Sequence, residues 1–275
     1  MSRAKAFAKI NLGLVAGPLR DDGKHEIVTV LQCVDLNDDL SLDPAAELTV
    51  EGFAEDTIVR SALEALANVA ATEPRWRIRI EKRIPVAGGL GGGSSDAATA
   101  LRLANAELSR PLDLAALHRV AAGLGADVPF FLYDGAHLAT DDGTTLTAVA
   151  LPTDYHVVLV VPHGELKEST RAVYEAFDAR DGADGFAERG AAFRHALAAI
   201  TTARDLGELP PNDLASSPIA RHLTAAGSFR ADVSGAGPTV FGLFERADDA
   251  TSAADALANV GRTFVTRPVR AGDLL

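Results

Sequence analysis

Cysteine is scarce in this sequence: Cys33 is the single one among 275 residues. A lone cysteine excludes an internal disulfide and a zinc site built from several thiolates. Such usage is typical of proteins kept in a reducing compartment, so we expect a cytoplasmic location.

Long apolar runs are also missing. The longest, residues 157–161, has the length of a buried strand and not of a membrane span. At the amino terminus, Lys9 and Asn11 interrupt the apolar stretch 6–14, which breaks the pattern of a secretory signal. We therefore expect no membrane partner.

Basic residues are outnumbered, with 26 Lys and Arg against 38 Asp and Glu and a formal net charge of −12. A general nucleic-acid binder needs a surplus of positive charge to neutralise phosphates, so nucleic acid is not an expected partner. One small anionic substrate is still compatible with this charge, because backbone N–H groups and a few cations in a pocket suffice to bind it. The sequence does not predict an oligomeric state.

The chain mixes strand and helix patterns without strict alternation, which predicts an α+β fold. Apolar residues alternate along a first strand, 6–15, with Ala8, Ile10, Leu12 and Leu14 on one face and Lys9, Asn11 and Gly13 on the other. A second strand, 27–34, follows, and residues 36–50 are expected to form short strands around Asp38, Asp39 and Pro44.

Further elements follow from periodicity and from start and stop residues. In the first half we expect helices at 57–71, about 95–108 and 114–124 (capped by Asp113) and a strand at 76–81. In the second half we expect strands at 155–161, 229–234, 239–244 and 262–269 and helices near 169–178, 186–200, 215–226 and 250–260. Pro152 separates the halves and predicts domains 1–152 and 153–275.

A glycine-rich segment between a predicted strand and a predicted helix is the most informative feature. Five of the six residues from 88 to 93 are glycine, so the backbone can adopt positive φ and approach a ligand closely. The helix that follows offers unpaired N–H groups and its positive dipole end to the loop. This arrangement predicts phosphate binding by Pro85, Val86, Ala87, Gly88, Gly89, Leu90, Gly91, Gly92, Gly93, Ser94 and Ser95.

The alternative is a flexible linker followed by an ordinary serine N-cap. We favour the phosphate loop, because linkers seldom keep a leucine among glycines or lie between a strand and an Ala/Leu-rich helix. The loop is neither a Walker A loop, since no Lys-Ser or Lys-Thr closes it, nor the G-x-G-x-x-G of dinucleotide folds.

Transfer of a phosphoryl group to an alcohol also needs a group that positions or deprotonates the hydroxyl. Asp127 is a candidate base, although its place two residues before Pro129 favours a helix N-cap on position alone. Lys9, on the same strand face as Asn11, could hold the charge of the aspartate or of the phosphoryl group. A solvated strand face is an equally good explanation of Lys9.

Four segments together resemble the GHMP kinase superfamily. These are Ala8–Leu12 with Asp22–Glu26, the glycine loop with its helix start at 85–98, Leu124–Pro129, and Ser234–Thr239. The resemblance implies an ATP-dependent kinase with an S5-like amino-terminal half and a ferredoxin-like carboxy-terminal half. The most similar members phosphorylate the 2-hydroxyl of a methylerythritol that is linked through a diphosphate to cytidine, with ATP and Mg²⁺.

Roles for individual residues follow from the same resemblance. Asp127 would be the catalytic base and Lys9 its charge partner, with Asn11 near the acceptor hydroxyl. His25 would bind the cytosine edge, and Tyr174 would cover the base. The substrate-binding residues implied by the resemblance are Asn11, Lys24, His25, Tyr174, Gly235, Ala236 and Gly237. Metal ligands are not predicted.

The sequence departs from the superfamily pattern at two places. Lys24 stands where a tyrosine is usual, and Asp141-Asp142-Gly143-Thr144 replaces a Gly-x-Gly-Glu-like turn. Lys24 leaves open another GHMP kinase with a different alcohol, such as homoserine or a sugar. A catalytically silent nucleotide-binding module is the remaining alternative, and Lys9, Asp127 and the intact loop count against it.

Overall fold

A computed structural model describes residues 1–53, 57–164, 169–270 and 272. The first half builds a mixed sheet in the order β3-β4-β2-β5-β6, with β1 paired to β2. Its strands are β1 (Ser2–Leu19), β2 (His25–Pro44), β3 (Thr49–Glu51), β4 (Trp76–Glu81), β5 (Ala136–Asp141) and β6 (Thr145–Val149). The predicted α+β class is confirmed.

β1 and β2 form one long antiparallel hairpin that carries much of the cavity described below. The prediction of short strands after residue 36 is wrong, because β2 continues to Pro44 and pairs with β4 there. Asp38 suggested a break in the strand. It lies inside β2 because its buried carboxylate accepts hydrogen bonds from Lys82 and from two backbone N–H groups.

The predicted faces of β1 are correct as far as Leu12 and wrong beyond it. The register with β2 shifts between Asn11 and Gly13, which inserts one residue and reverses the alternation. Leu14 therefore packs beside Phe177, whereas Leu12 lies in the core shared with the second sheet.

Helices cover one face of the first sheet. They are α1 (Thr57–Val69), α2 (Gly92–Ala106) and α3 (Leu114–Ala122), followed by a 3₁₀ helix at Pro129–Leu132. The predicted cap of α3 is confirmed, since the Asp113 carboxylate accepts a hydrogen bond from Ala116 N at 2.8 Å. The β5–β6 hairpin was not predicted; β6 is largely exposed and only five residues long, so it buries little apolar surface.

The second half forms a four-stranded antiparallel sheet in the order β10-β7-β9-β8. Its elements are β7 (His156–Pro162), α4 (Thr170–Asp178), α5 (Phe186–Ala198), a 3₁₀ helix (Ala203–Glu208), α6 (Pro218–Ala225), β8 (Arg230–Val233), β9 (Val240–Phe244), α7 (Ala247–Ala256) and β10 (Gly261–Thr266). This strand order is the ferredoxin-like arrangement that was expected.

The two sheets share a hydrophobic core. Along β7, Val158 and Val160 face α6 and α7, whereas Val157 and Leu159 pack with Ile10 of β1. This contact brings the turn after β8 against the glycine loop of the first half. The predicted division at Pro152 falls between the sheets and stays a prediction.

Candidate active site

One cavity of about 1080 Å³ is lined by residues from both halves of the chain. Among the residues predicted to form the site, only Ser95 and Gly237 do not line it. Ser95 is buried inside α2, and the Gly237 carbonyl lies behind Gly89 of the loop. Residues that were separated by up to 227 positions in the sequence, Lys9 and Ala236, therefore face the same space.

Lys9 and Asp127 form an ion pair in the wall of the cavity. The Lys9 ammonium lies 3.4 Å from Asp127 Oδ2 and donates a hydrogen bond of 2.7 Å to Asn11 Oδ1. The Lys9 side chain is 4% exposed and that of Asp127 is 40% exposed. A buried cation thus holds a carboxylate that opens into the cavity, and the solvated-face explanation of Lys9 is wrong.

The orientation of the Asn11 amide is fixed from behind. Its Nδ2 donates to Thr29 Oγ1 at 2.9 Å, and this hydroxyl donates to the Gly13 carbonyl at 2.7 Å. The amide oxygen must therefore face Lys9. Thr29 was missed by the sequence analysis, because nothing local marks it as the partner of Asn11.

Asp127 does not cap the 3₁₀ helix that follows it. The residue at the N-cap position is Val128, and no side chain of the described residues makes a capping hydrogen bond there. The capping explanation of Asp127 is therefore not supported, and the described contact of its carboxylate is with Lys9.

The glycine loop runs into α2 as the phosphate-loop prediction requires, but the helix starts earlier than predicted, at Gly92 and not near Ser95. Gly91 is the N-cap residue with φ of +69°, and no side chain within the described ranges caps this end. The first N–H groups of α2 are thus left without intrahelical acceptors. A Cβ at Gly91 would lie 2.9 Å from Phe131 Cζ and 3.0 Å from Lys9 Cγ, so the position requires glycine.

The second glycine turn packs directly against this loop. Thr239 N donates to the Gly88 carbonyl at 3.2 Å, and Ser234 Oγ donates to the Gly89 carbonyl at 3.1 Å. Ser234 Oγ also accepts a hydrogen bond of 3.4 Å from Asn11 N. Ser234 was named only as part of a motif, yet its hydroxyl connects the loop to the strand that carries Lys9.

His25 and Tyr174 form the aromatic end of the cavity. Their rings stack with centroids 4.4 Å apart, and His25 Nε2 lies 2.9 Å from Asp178 Oδ1. Burial raises the pKa of the Tyr174 phenol to about 12, and the charge of Asp127 adds to the rise. Asp178 was missed, because 153 residues separate it from His25.

The two departures from the superfamily pattern meet in space beside this aromatic end. Lys24 Nζ lies 2.6 Å from Asp142 Oδ2, and both residues line the cavity. Thr144 donates to Asp142 Oδ1 from its backbone N at 3.1 Å and from its hydroxyl at 2.6 Å. Burial alone would raise the pKa of Asp142, but the hydrogen bonds from Lys24 and Thr144 lower it to about 2. The replaced residues therefore form one ion pair.

Comparison with known proteins places the chain in a family. The family models described as GHMP kinases N terminal domain and GHMP kinases C terminal match residues 57–135 and 216–263. The chain is 38% identical to a protein of Rhodococcus jostii (strain RHA1) over 97% of its own length and 90% of the relative. The chain belongs to the GHMP kinases. That Rhodococcus GHMP kinase is named 4-diphosphocytidyl-2-C-methyl-D-erythritol kinase.

Other GHMP kinases are similar to the chain in sequence or in fold. A protein of the same name from Nocardia farcinica (strain IFM 10152) is 39% identical over 97% of this chain and 91% of the relative. A crystal structure of 4-(cytidine 5'-diphospho)-2C-methyl-D-erythritol kinase superposes with a TM-score of 0.78 at 33% identity, covering 97% and 99% of the two chains. A mevalonate kinase superposes with a TM-score of 0.77 at 14% identity over 98% of this chain and 100% of the other, which shows the shared fold alone.

Among the described residues, neither a metal-binding cluster nor a membrane-spanning helix occurs. No group of three or more His, Cys, Asp or Glu side chains that could hold a metal occurs in the part of the chain that the structure describes. Within the same ranges, no helix combines the length and the hydropathy that a bilayer crossing requires.

Proposed function

We propose that this GHMP kinase transfers the γ-phosphoryl group of ATP to the 2-hydroxyl of 4-diphosphocytidyl-2-C-methyl-D-erythritol, a step of non-mevalonate isoprenoid precursor biosynthesis in the cytoplasm. The observation that carries the proposal is the Lys9–Asp127 pair, which opens into the same cavity as the glycine loop. The names of the relatives, which match nearly the whole chain, support the choice of acceptor.

The donor phosphates bind at the glycine loop. Backbone N–H groups of the first turn of α2 and the positive end of its dipole favour an anion there. Gly93 contributes open space, because a Cβ built on it would meet no atom within 4 Å. The donor is MgATP, whose Mg²⁺ neutralises phosphate charge when it is bound. We assign the predicted segment from Pro85 to Ser94 to phosphate binding, while Ser95 supports the loop through its backbone N, which donates to the Gly91 carbonyl at 2.8 Å.

Asp127 accepts the proton of the acceptor hydroxyl as that oxygen forms its bond to the γ-phosphorus and the bond to the β-phosphate oxygen of ATP breaks. Lys9 holds the carboxylate in place and keeps positive charge beside the phosphoryl group. Asn11 orients Lys9 through its amide oxygen and borders the acceptor hydroxyl. Little covalent chemistry is left to the protein, so positioning and charge account for most of the rate.

The cytidine end of the acceptor binds at the aromatic end of the cavity. Because the Asp178 carboxylate accepts from His25 Nε2, the imidazole presents Nδ1 as an acceptor in its neutral form. The exocyclic amine of cytosine is a donor that matches it. Tyr174 stacks on His25 and extends this wall. Lys24, held by Asp142, gives the pocket an ion pair where the superfamily usually has an aromatic ring.

The turn of Gly235, Ala236 and Gly237 completes the acceptor side. A Cβ at Gly235 would lie 3.2 Å from Asn11 Oδ1 and 3.4 Å from Lys9 Nζ, so only glycine leaves this approach open. We assign the turn to the binding of the acceptor near the reacting hydroxyl. Ala236 lines the cavity, and Gly237 acts through its packing behind the loop.

A second candidate is a GHMP kinase with a different alcohol, and the Lys24–Asp142 pair is the observation that favours it. An ion pair offers no π-face to a nucleobase, whereas it suits a small polar or charged acceptor. The catalytically silent module has no such support, because a nucleotide-binding protein does not require a buried lysine beside a cavity-facing carboxylate.

The test is a coupled assay of ADP release across a panel of alcohols: the cytidine compound, homoserine and sugars. The cytidine compound should give the highest kcat/KM, and ³¹P NMR should show a new phosphate ester on its 2-hydroxyl. The Asp127→Asn variant should bind ATP but release no ADP above background with any alcohol. Strong activity on homoserine or a sugar, with none on the cytidine compound, would replace the first candidate by the second.

A further inference from the structure

Three buried charges, Asp38, Lys82 and Asp96, form a cluster below the glycine loop that the proposed mechanism does not use. Lys82 Nζ lies 2.7 Å from Asp38 Oδ2 and 2.7 Å from Asp96 Oδ2. Both carboxylates are fully buried, and the Lys82 side chain is 15% exposed at the cavity wall. We call these three residues the loop clamp.

The loop clamp ties the two ends of the glycine loop together. Asp38 Oδ1 accepts hydrogen bonds from the backbone N of Arg83 at 2.5 Å and of Ile84 at 2.9 Å, immediately before the loop begins. Asp96 lies in α2, immediately after the loop ends. Lys82 joins the two carboxylates, so a single ammonium connects the start of the loop to its end.

The charges of the loop clamp do not balance when all three groups are ionised. Two carboxylates and one ammonium leave one net negative charge in a buried site, next to a loop proposed to bind a polyanion. Such a charge is costly to bury, and one of two neighbouring carboxyls then keeps a proton. The neighbouring guanidinium of Arg83 does not correct the imbalance, because it pairs at the surface with Asp39 at 2.6 Å.

Hydrogen bonding decides which carboxyl keeps the proton. Asp38 accepts hydrogen bonds at both oxygens, from two backbone N–H groups at Oδ1 and from Lys82 at Oδ2. Asp96 accepts from Lys82 through Oδ2, but its buried Oδ1 accepts no hydrogen bond from any described residue. Burial raises the pKa of Asp96 well above its ordinary value; Lys82 opposes this rise and Asp38 adds to it.

We propose that the loop clamp is a positioning device for the ATP loop and that Asp96 carries a proton whenever nucleotide is bound. The proposal rests on ATP as the donor and is independent of the identity of the acceptor. Protonation makes the cluster neutral, so the polyphosphate does not face a buried negative charge. Above the pH at which free Asp96 ionises, nucleotide binding must therefore take up a proton.

The experiment is calorimetric titration with a non-hydrolysable MgATP analogue at pH 7.0, 8.0 and 9.0 in buffers of different ionisation enthalpy. In the parent protein, proton uptake should rise with pH toward one proton per site, and Kd should increase by up to about tenfold per pH unit above the free pKa. The Asp96→Asn variant mimics the protonated acid and should bind with no uptake and a flat Kd. Asp39→Asn, an exposed carboxylate on the same strand, should behave like the parent protein.

No acceptor is present in this titration, so its outcome does not depend on which alcohol is phosphorylated. Equal proton uptake in the parent protein and a folded Asp96→Asn variant would overturn the proposal. If that variant does not fold, infrared difference spectra of the parent protein test the protonation of the buried carboxyl directly. The carbonyl band of a protonated carboxyl should then be lost between pH 7 and 9.5 and should persist to higher pH with the analogue bound. A band that does not respond to the analogue would equally overturn the proposal.

Discussion

The two ends of the cavity are built by different means. At the glycine-loop end, the proposed recognition uses the backbone of contiguous residues and the start of one helix, with Gly91 in the left-handed region. At the aromatic end it uses side chains from separate elements, such as His25 with Asp178 and Lys24 with Asp142. A site made of backbone groups leaves little room for side chains, so substitutions there seldom change which donor it binds. A site made of side chains can change its ligand by single substitutions. The differences between this chain and the superfamily pattern accordingly lie at the aromatic end.

The largest effect is expected where the two ends meet, at Asp127. Replacing Asp127 by Ala should lower kcat by about 10²–10⁴-fold, because general-base assistance is lost, and should leave the Kd of ATP nearly unchanged. Steady-state kinetics and calorimetry on the same preparation measure both quantities. Asp35→Asn is the control, because Asp35 has a similar exposure and lies 4.0 Å from Arg267. Turnover within a few-fold of the parent protein would remove Asp127 from the mechanism.

The second-largest effect is expected at the glycine-loop end, where a substitution should change the KM for ATP and not that for the acceptor. Replacing Gly91 by Val places a β-branched residue at positive φ, at a cost of about 1–3 kcal/mol. We expect the KM for ATP to rise by about 5- to 150-fold, with a much smaller change in the KM for the acceptor. Gly93→Ala, where a Cβ meets no neighbour within 4 Å, should be mild by comparison. Equal losses for both substrates would contradict the separation of the two ends.

At the aromatic end, a substitution should change the KM for the acceptor and not that for ATP. Replacing Lys24 by Tyr in an Asp142→Asn background supplies a π-face without leaving the half-buried Asp142 carboxylate without its lysine partner. Stacking of a base on an aromatic ring is worth about 1–3 kcal/mol, so the KM for the cytidine acceptor should fall by about 5- to 150-fold. Unlike Gly91→Val, this change should leave the KM for ATP unaltered. Asp142→Asn alone serves as the reference, and an unchanged acceptor KM would show that the base does not reach this wall.

The smallest effect is expected at Asp178, whose carboxylate is half exposed. Replacing Asp178 by Ala removes the acceptor that fixes His25 Nε2, and one such hydrogen bond is worth about 0.5–1.5 kcal/mol. The KM for the acceptor should therefore rise by about 2- to 12-fold, with no change for ATP. His25→Ala should raise the acceptor KM at least as much, and adding Asp178→Ala to it should cause no further loss. Additive effects would mean that Asp178 does not act through His25.

Local features of the sequence predicted the glycine-loop end well. Positive φ at Gly91 and an open helix start after it are properties of neighbouring residues, and Lys9 with Asn11 shares a strand face by simple alternation. The start of α2 at Gly92 was missed, because glycine has a low helix propensity and the tertiary packing outweighs it here.

Long-range pairs could not be read from the sequence. Asp142 meets Lys24 through the β5–β6 hairpin, which was itself not predicted, and Asp178 reaches His25 from α4. The reversal of faces at Leu14 has the same origin, since a bulge depends on the pairing of two strands and not on one of them. The residue types of these pairs are common on surfaces, and only the fold makes them specific.

The Ser234 hydroxyl has a consequence for the motion of the site. It accepts from Asn11 N and donates to the Gly89 carbonyl, while Lys9 N donates to the Leu90 carbonyl at 2.9 Å. The loop and the strand that carries Lys9 are therefore joined through the amides of residues 9 and 11. Anything that steadies the loop should slow the deuterium exchange of these two amides, although neither group touches a phosphate. Amide exchange at Lys9 and Asn11 would then report nucleotide binding from behind the site, before any acceptor has arrived.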